Sequence, residues 1–401
     1  MPPQKAADFT AEELAGAQLV RARLGNDLLP ELFDTDFYLA RWWRSYNGDL
    51  AKIEKCLREY LTIRTLLAYD VDDMHHALTT RPMTSKVLRY FAASRLNEPV
   101  RSGDTCMFVQ RMKGVDLKQL LRVVPVSHIL STYYGLQEFF SRVMLDAEKE
   151  TGRPACVTLI LDLEGVILSD FINPLGACTK FAKLCAKIWQ EYFSENVVKM
   201  YIVNPPGILS LMWKVAKCIM DQKSQSRIEF LFKPEDLLLH LDAHAVPAAF
   251  GGTWTDTSGW AEEPEYCCNS AKTIVSIDYP KPHQVWFDNG FKCAPPMIHG
   301  TIKSKQTFVV SRTVTKPGTR LVWEFDVNGD VDFDIIRTEC AGSAQQGKEE
   351  PVWPRLTLNS LKMNEQGHLV CKEPGEYRLR FTNSNSTWFV VKLEYAVGLI
   401  D

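Results

Sequence analysis

Val157-Thr-Leu-Ile-Leu161 is an unbroken apolar run, partly β-branched, that ends on Asp162-Leu-Glu-Gly165. A strand with one wet face alternates apolar and polar residues. A continuous run of this length is what a strand covered on both faces shows, as in a parallel sheet. After it comes an amphipathic helix in which Phe181, Leu184, Cys185, Ile188 and Trp189 form one stripe, the face that should be buried. Residues 198–203, Val-Lys-Met-Tyr-Ile-Val, read as a second strand that ends at Asn204-Pro205-Pro206. An apolar helix, a third strand at residues 228–232 and a short helix after Pro234 follow. Strands joined through helices predict an α/β domain with a mainly parallel sheet, assigned here to residues 78–255.

The apolar helix, residues 208–220, is the unusual segment. Ile208, Leu211, Met212, Val215 and Ile219 follow helical spacing, while Leu209, Trp213, Ala216, Cys218 and Met220 fill most of the remaining circumference. A bilayer span needs about 20 apolar residues, and Lys214 and Lys217 interrupt this shorter run. A helix apolar nearly all round is buried on both sides or meets something greasy. Two readings stand: a core helix, or the movable wall of an apolar ligand cavity.

Both flanks have a different texture. Up to residue 77 the chain reads as helical. Thr10-Ala-Glu-Glu13 forms a capping box, and Asp49 caps a helix with Leu50, Ile53, Leu57, Tyr60 and Leu61 on one face. Residues 256–274, rich in Gly, Pro, Thr, Asp and Glu, read as a linker. From 275 onward short alternating strands dominate. Leu321, Trp323, Phe325 and Val327 alternate with polar residues before Asn328-Gly329, and Val331, Phe333 and Ile335 alternate after it. Asn-Gly between such runs predicts a hairpin. Tyr377, Leu379 and Phe381 follow Pro374-Gly375, then come a polar turn at 382–387 and a strand at 388–395. The expected fold of residues 275–401 is an all-β antiparallel sandwich.

The 401 residues carry 46 Lys plus Arg against 49 Asp plus Glu, a balance that argues against a nucleic-acid partner. Met-Pro-Pro-Gln-Lys-Ala-Ala-Asp at the start has no apolar core, so no signal peptide is expected. Gly is absent at position 2, which argues against myristoylation. Eleven scattered cysteines without paired spacing predict reduced thiols and a cytoplasmic setting.

Several groups could carry chemistry. The segment Asp162-Leu-Glu164-Gly-Val resembles the nucleophile loop of haloacid-dehalogenase-type phosphatases, with Glu164 in place of the second Asp. The commoner reading is a strand end whose carboxylates accept backbone hydrogen bonds. His240 and His244 lie four positions apart, facing one way if helical, but a third ligand is not evident and no metal is expected. No catalytic residue is assigned, and the chain is not expected to be an enzyme. Lys180, Lys183 and Lys187 share a helix face. Such a stripe is usually solvated; against anionic headgroups each lysine contributes about 1 kcal/mol.

Asp36-Phe-Tyr-Leu-Ala-Arg-Trp-Trp-Arg44 with Leu57-Arg-Glu-Tyr60 resembles the N-terminal helical motif of the Sec14-like (CRAL-TRIO) lipid-transfer family. Leu159-Ile-Leu-Asp-Leu-Glu-Gly165, Tyr192-Phe-Ser-Glu195, Tyr201-Ile-Val-Asn-Pro-Pro206 and Val246-Pro-Ala-Ala-Phe-Gly-Gly252 are similar to its central cassette. Pro317-Gly-Thr-Arg-Leu-Val-Trp-Glu-Phe325 and residues 371–381 resemble a GOLD domain, an arrangement found in the supernatant protein factor (tocopherol-associated protein) subfamily. The resemblance implies a soluble lipid-binding or lipid-transfer protein holding one hydrophobic ligand, a phospholipid such as phosphatidylinositol or a terpenoid such as tocopherol. It makes the 208–220 helix a gate, with Ile208, Leu211, Met212, Val215 and Ile219 on the apolar pocket. It assigns Glu195, Ser224 and Arg227 to the lipid headgroup, with Ser194 standing where the family motif has Pro. The bound lipid replaces any cofactor. Lys180, Lys183 and Lys187 become the membrane-contact face, and the GOLD domain a site for a protein partner. Transient association with Golgi or other endomembranes follows. The alternative is a trafficking adaptor with a vestigial or lipid-regulated pocket.

Overall fold

The computed structural model describes residues 8–25, 29–97, 99–207, 209–339, 349–384 and 389–401. The chain forms two compact units: Met1–Leu61 with Val71–Asp116 and Thr132–Thr273, and Thr62–Asp70 with Leu117–Ser131 and Ile274–Asp401. The division is interleaved, because two short internal segments group with the C-terminal strands.

The first unit opens with helices α1 (Ala11–Leu24), α2 (Asp36–Ser45) and α3 (Leu50–Leu66). Thr10 and Glu13 form the expected box: the Glu13 amide donates to Thr10 Oγ1 at 3.2 Å, and the Thr10 amide to Glu13 Oε2 at 2.8 Å. The Asp49 carboxylate caps α3 through the Lys52 amide at 3.1 Å. Trp43 of α2 lies directly on Gly16 of α1, where a Cβ would sit 2.1 Å from the ring. Only glycine permits that approach. Phe33, Tyr38, Trp42 and Tyr60 stack around the α2–α3 junction, an aromatic core that needs little aliphatic filling.

Next come α4 (Met74–Thr80), α5 (Pro82–Leu88), β1 (Ala92–Ala93), β2 (Val100–Ser102) and β3 (Thr105–Arg111). After α6 (Leu117–Val123) and the long α7 (Val126–Thr151) follow β4 (Cys156–Asp162), α8 (Ser169–Ile172), α9 (Ala177–Tyr192) and β5 (Val197–Val203). Then come α10 (Leu209–Ile219), α11 (Gln222–Gln225) and β6 (Ile228–Leu231). The short helix expected after Pro234 is a 3-10 helix, Pro234–Leu239. Among the described residues the sheet has the order β1-β3-β4-β5-β6, with β2 also on β3. Strands β3 to β6 are parallel, while β1 and β2 are antiparallel to β3.

One face of this sheet is tightly closed. Met107, Val109, Ile160, Tyr201, Val203 and Leu231 pack on Leu237, Leu241, Val246 and Phe250. The segment 256–274, read as a linker, is ordered along the same unit. Trp260 Nε1 donates to Ala93 O at 2.9 Å, the Lys272 amide donates to Arg89 O at 2.8 Å, and Cys267 and Cys268 are buried.

The second unit contains α12 (Gln284–Asp288) and strands β7 (Ile298–Ile302), β8 (Thr307–Val314), β9 (Arg320–Val327) and β10 (Val331–Thr338). It continues with β11 (Glu350–Leu358), β12 (Glu365–Val370), β13 (Gly375–Thr382) and β14 (Val391–Ile400). They form two antiparallel sheets, β11-β10-β13-β8 and β12-β9-β14-β7. The inner faces meet at Phe325, Phe333 and Phe381, whose ring centroids are 4.9–5.0 Å apart. The Asn328-Gly329 hairpin expectation is overturned: β9 and β10 lie in different sheets and do not pair. Trp323 and Phe325 precede the turn, Phe333 and Ile335 follow it, and all four are buried. The turn is an arch carrying the chain across the core. Trp388, expected to begin the last strand, lies outside the described residues, as do the last three positions of the expected 382–387 turn.

Candidate functional site

The face of the parallel sheet opposite Leu237 and Phe250 is incompletely closed. Packing of α7 covers its β3 edge, where Phe108 meets Phe140 at 4.5 Å. Toward the centre, Leu159 and Leu161 of β4, Met200 of β5 and Phe230 of β6 are only half-buried. Central parallel strands normally pack to the density of a crystal. Here Leu161, Leu163, Met200 and Phe230 group instead with Trp213, Ala216 and Met220 of the α10 segment, and Trp213 meets Phe230 edge-on at 5.1 Å.

Helix α10 is therefore the cover of an apolar sheet face. Met212 and Ala216 are buried; Leu211, Trp213, Val215, Cys218, Ile219 and Met220 are half-buried. Ser210, Lys214 and Lys217 are exposed, and their spacing makes one narrow polar stripe. The near-circumferential apolar pattern thus has a local cause. The stripe faces out, one edge reaches the sheet, and both flanks stay partly open. Ile208 lies outside the described residues.

A polar cluster sits at the amino ends of β5 and β6. Arg227 Nη2 and Lys223 Nζ both lie 2.8 Å from Oε1 of Glu195. Arg227 Nη1 also donates to the Val197 carbonyl at 2.9 Å. Ser224 is buried on α11; its amide donates to the cap residue Asp221 at 2.7 Å, and its hydroxyl accepts from Gln190 Nε2 at 3.3 Å. The structure thus brings Glu195, Ser224 and Arg227 into one neighbourhood. From α2, Ser45 Oγ lies 2.6 Å from Ser194 Oγ, and Lys223 Nζ lies 3.5 Å from the Arg44 carbonyl. Arg44 is itself held by Glu13, with Nε to Oε1 at 2.6 Å. The Glu195 charge adds to Glu13 in raising its pKa. Tyr46, in the same helix end, donates to the Glu191 carbonyl at 2.6 Å, and burial pushes its phenol well up. Chemically this is a cationic corner with one compensating carboxylate and hydroxyls in reach, suited to an oxyanion. Lys223 and Ser45 were not singled out by sequence. Lys223 adjoins Ser224 on a one-turn helix, which leaves no periodic signal.

The remaining candidates separate. On α9 Phe181, Leu184, Ile188 and Trp189 are buried, Cys185, Lys180 and Lys183 are half-buried, and Lys187 is exposed. Beside it, around α8, Ile167, Ile172 and Leu175 are exposed apolar residues. His240 and His244 do not converge: His240 Nε2 is 3.4 Å from Glu229, and His244 Nε2 pairs with Arg101 O at 2.8 Å. Among the described residues no group of His, Cys, Asp and Glu is placed to hold a metal ion. The Asp162 carboxylate, fully buried, accepts from Arg111 Nε at 3.1 Å, Asn204 Nδ2 at 2.9 Å and the Glu164 amide at 3.0 Å. Its oxygens are held in a strand-end network, the arrangement expected of a structural carboxylate rather than an exposed nucleophile.

Residues 102–252 match the CRAL/TRIO domain. Over 98% of its length the chain is 30% identical to the CRAL-TRIO domain-containing protein C34C12.6 of Caenorhabditis elegans, covering 97% of that protein. It is 26% identical to the phosphatidylinositol/phosphatidylcholine transfer protein SFH4 of Arabidopsis thaliana, over 61% of this chain and 40% of that protein. Among solved structures, Sfh5 is similar with a TM-score of 0.46 and 16% identity, over 71% of this chain and 98% of that one.

Proposed function

Since the chain belongs to the CRAL-TRIO domain family, whose members bind and transfer lipids, we propose that it holds one hydrophobic ligand between α10 and the β4–β6 face and exchanges it with membranes. The observation that carries this reading is the half-buried inner face of Leu159, Leu161, Met200 and Phe230 beneath a helix whose flanks are also part-exposed. An acyl chain laid there removes apolar surface from water at about 25 cal/mol per Å2, or about 0.8 kcal/mol per methylene. Leu211, Met212, Val215 and Ile219 form the moving wall in this reading. The polar stripe of Lys214 and Lys217 lets α10 leave the sheet without stranding a greasy outer surface in water.

The headgroup role falls to Glu195, Ser224 and Arg227, with Lys223 as an added cation. A phosphate or inositol oxygen would take Arg227 from Glu195, and the planar fork of arginine suits such a partner. The transfer activity named for the Arabidopsis relative makes phosphatidylinositol and phosphatidylcholine the first ligands to test. A tocopherol-like terpenoid is the second class. Membrane contact is assigned to Ile167, Ile172 and Leu175 with Lys180, Lys183 and Lys187, an apolar tip beside cations. The C-terminal sheets are read as a GOLD-type domain of the supernatant protein factor kind, serving protein or membrane association. Organic extraction of the purified protein followed by mass spectrometry tests the reading. A stoichiometric copurifying lipid is expected; protein that neither yields nor takes up lipid from labelled vesicles overturns it.

A further inference from the structure

A cavity of about 420 Å3 lies beyond the carboxyl ends of β4 and β5, lined by Leu163, Glu164, Asn204, Ala249, Phe250 and Tyr266 among others. That volume is within the range of small-molecule sites. The Glu195 cluster is at the opposite, amino end of β5, so the two sites are distinct along the strand.

The charges around the cavity do not balance. Arg111, buried at the end of β3, pairs with Asp162 Oδ2 at 3.1 Å, Glu164 Oε2 at 3.2 Å and Glu263 Oε2 at 2.8 Å. Lys113 Nζ approaches Glu164 Oε1 at 3.4 Å. Three carboxylates thus meet two cations, and the two contacts of Glu164 are long. Among the described residues the lining includes Glu164 and no lysine, arginine or histidine. Asn204 gives its side-chain N–H to Asp162 at 2.9 Å, which leaves its Oδ1 without a donor among the described residues. Tyr266 carries the Arg111 guanidinium 3.6 Å above its ring, and Phe250 stands edge-on to Tyr266 at 5.8 Å.

We propose that this cavity binds a small organic cation, an ammonium or guanidinium group, between Glu164, Asn204 and the aromatic wall. An anion would face the surplus carboxylate. An apolar ligand would desolvate Glu164 and Asn204 without giving them donors. A cation satisfies both acceptors. The inference goes beyond lipid binding and does not depend on it, since neither Glu164 nor Asn204 belongs to the α10 face or the Glu195 cluster.

Calorimetric titration of the full chain with agmatine tests it. Saturable binding is expected, weakened at least tenfold in Glu164→Gln and in Ala249→Trp, which keeps the charge but fills the cavity. Sodium phosphate should give no saturable heat. Thermal melts establish that each variant is folded; if Glu164→Gln is not, Ala249→Trp decides. Absence of saturable agmatine binding, or unchanged affinity in the folded variants, overturns the proposal. Phosphatidylcholine vesicles separate two sources of the same cation. Displacement of agmatine assigns the site to a headgroup ammonium, and retention assigns it to a soluble amine. Copurified lipid is measured in the same samples, so failure of the cation site and failure of lipid binding are read independently.

Discussion

Arg227 and Glu195, 32 positions apart, meet at 2.8 Å where β5 and β6 begin, and the same carboxylate oxygen also receives Lys223 at 2.8 Å. One carboxylate therefore holds two cations in place while leaving both with unused donors. On the headgroup reading, Arg227→Ala lowers transfer of phosphatidylinositol at least tenfold, about 1.4 kcal/mol. Uptake of an uncharged terpenoid stays within twofold. Arg227→Lys recovers only part of the loss, because the bidentate fork is gone. A vesicle-to-vesicle transfer assay with both ligands checks this; equal loss for both would remove the headgroup role.

The α10 wall offers a separate test. A charge at half-buried Leu211, as in Leu211→Asp, is expected to slow lipid exchange about tenfold and to cost roughly 1–3 kcal/mol through desolvation of the carboxylate. Met212→Asp, at a buried position, should cost more. In neither variant do the N-terminal helices unfold, which their far-ultraviolet circular dichroism would report. Exchange at the wild-type rate would mean that α10 is ordinary core.

Close approach of α1 and α2 makes Gly16 intolerant. Gly16→Ala drives a methyl into the Trp43 ring and should destabilise the first unit by roughly 1–3 kcal/mol. The neighbouring Glu13 adds a pH signature. Its hydrogen bond with Arg44 holds its pKa down at about 2, below the ordinary 4.5. The native state therefore holds fewer protons than the unfolded chain in that interval. The stability Glu13 contributes above pH 4.5 is lost as the pH falls toward 2. Glu13→Gln should flatten this part of the acid limb in a melting-temperature profile.

Glu365 gives the opposite sign. It is buried on β12 and accepts the amides of Val126 at 2.9 Å and Ser127 at 3.2 Å, the first residues of α7. Burial pushes its pKa up to about 7, against the pull of those donors. The native state then holds a proton that the unfolded chain releases near 4.5. Its favourable contribution is complete below that value and is lost as the pH rises through 7. Relative to Glu365→Gln, the wild type should lose stability between pH 5 and 8 by on the order of 2–3 kcal/mol at most. Parallel denaturant titrations of the two proteins measure the difference.

Sequence pattern was informative where structure is local. The run at 157–161 became β4, the 181–189 stripe became the inner face of α9, and the capping box at Thr10 formed. Alternation around Asn328-Gly329 located β9 and β10 but not their pairing. Turn chemistry is the same whether the next strand pairs with the last one or crosses the core, and the inward aromatics decided the latter. Glu195, Ser224 and Arg227 were singled out by family resemblance alone, and the structure brings them into one neighbourhood. Lys223 and the Arg111 network escaped because their partners come from remote segments, Glu263 lying 152 positions from Arg111.

The reach of Glu365 bears on how the chain can be divided. Residues 117–131 group with the C-terminal strands, and the helix that starts there runs on to Thr151. A polypeptide ended at residue 273 retains the whole CRAL/TRIO match at 102–252 but loses the only acceptor described for the Val126 amide. A helix so truncated starts with bare amides in an apolar setting, and its opening turn frays or finds another cap. The stretch matched to the CRAL/TRIO domain is thus a recognisable sequence module whose helix α7 takes its amino-terminal cap from outside the match.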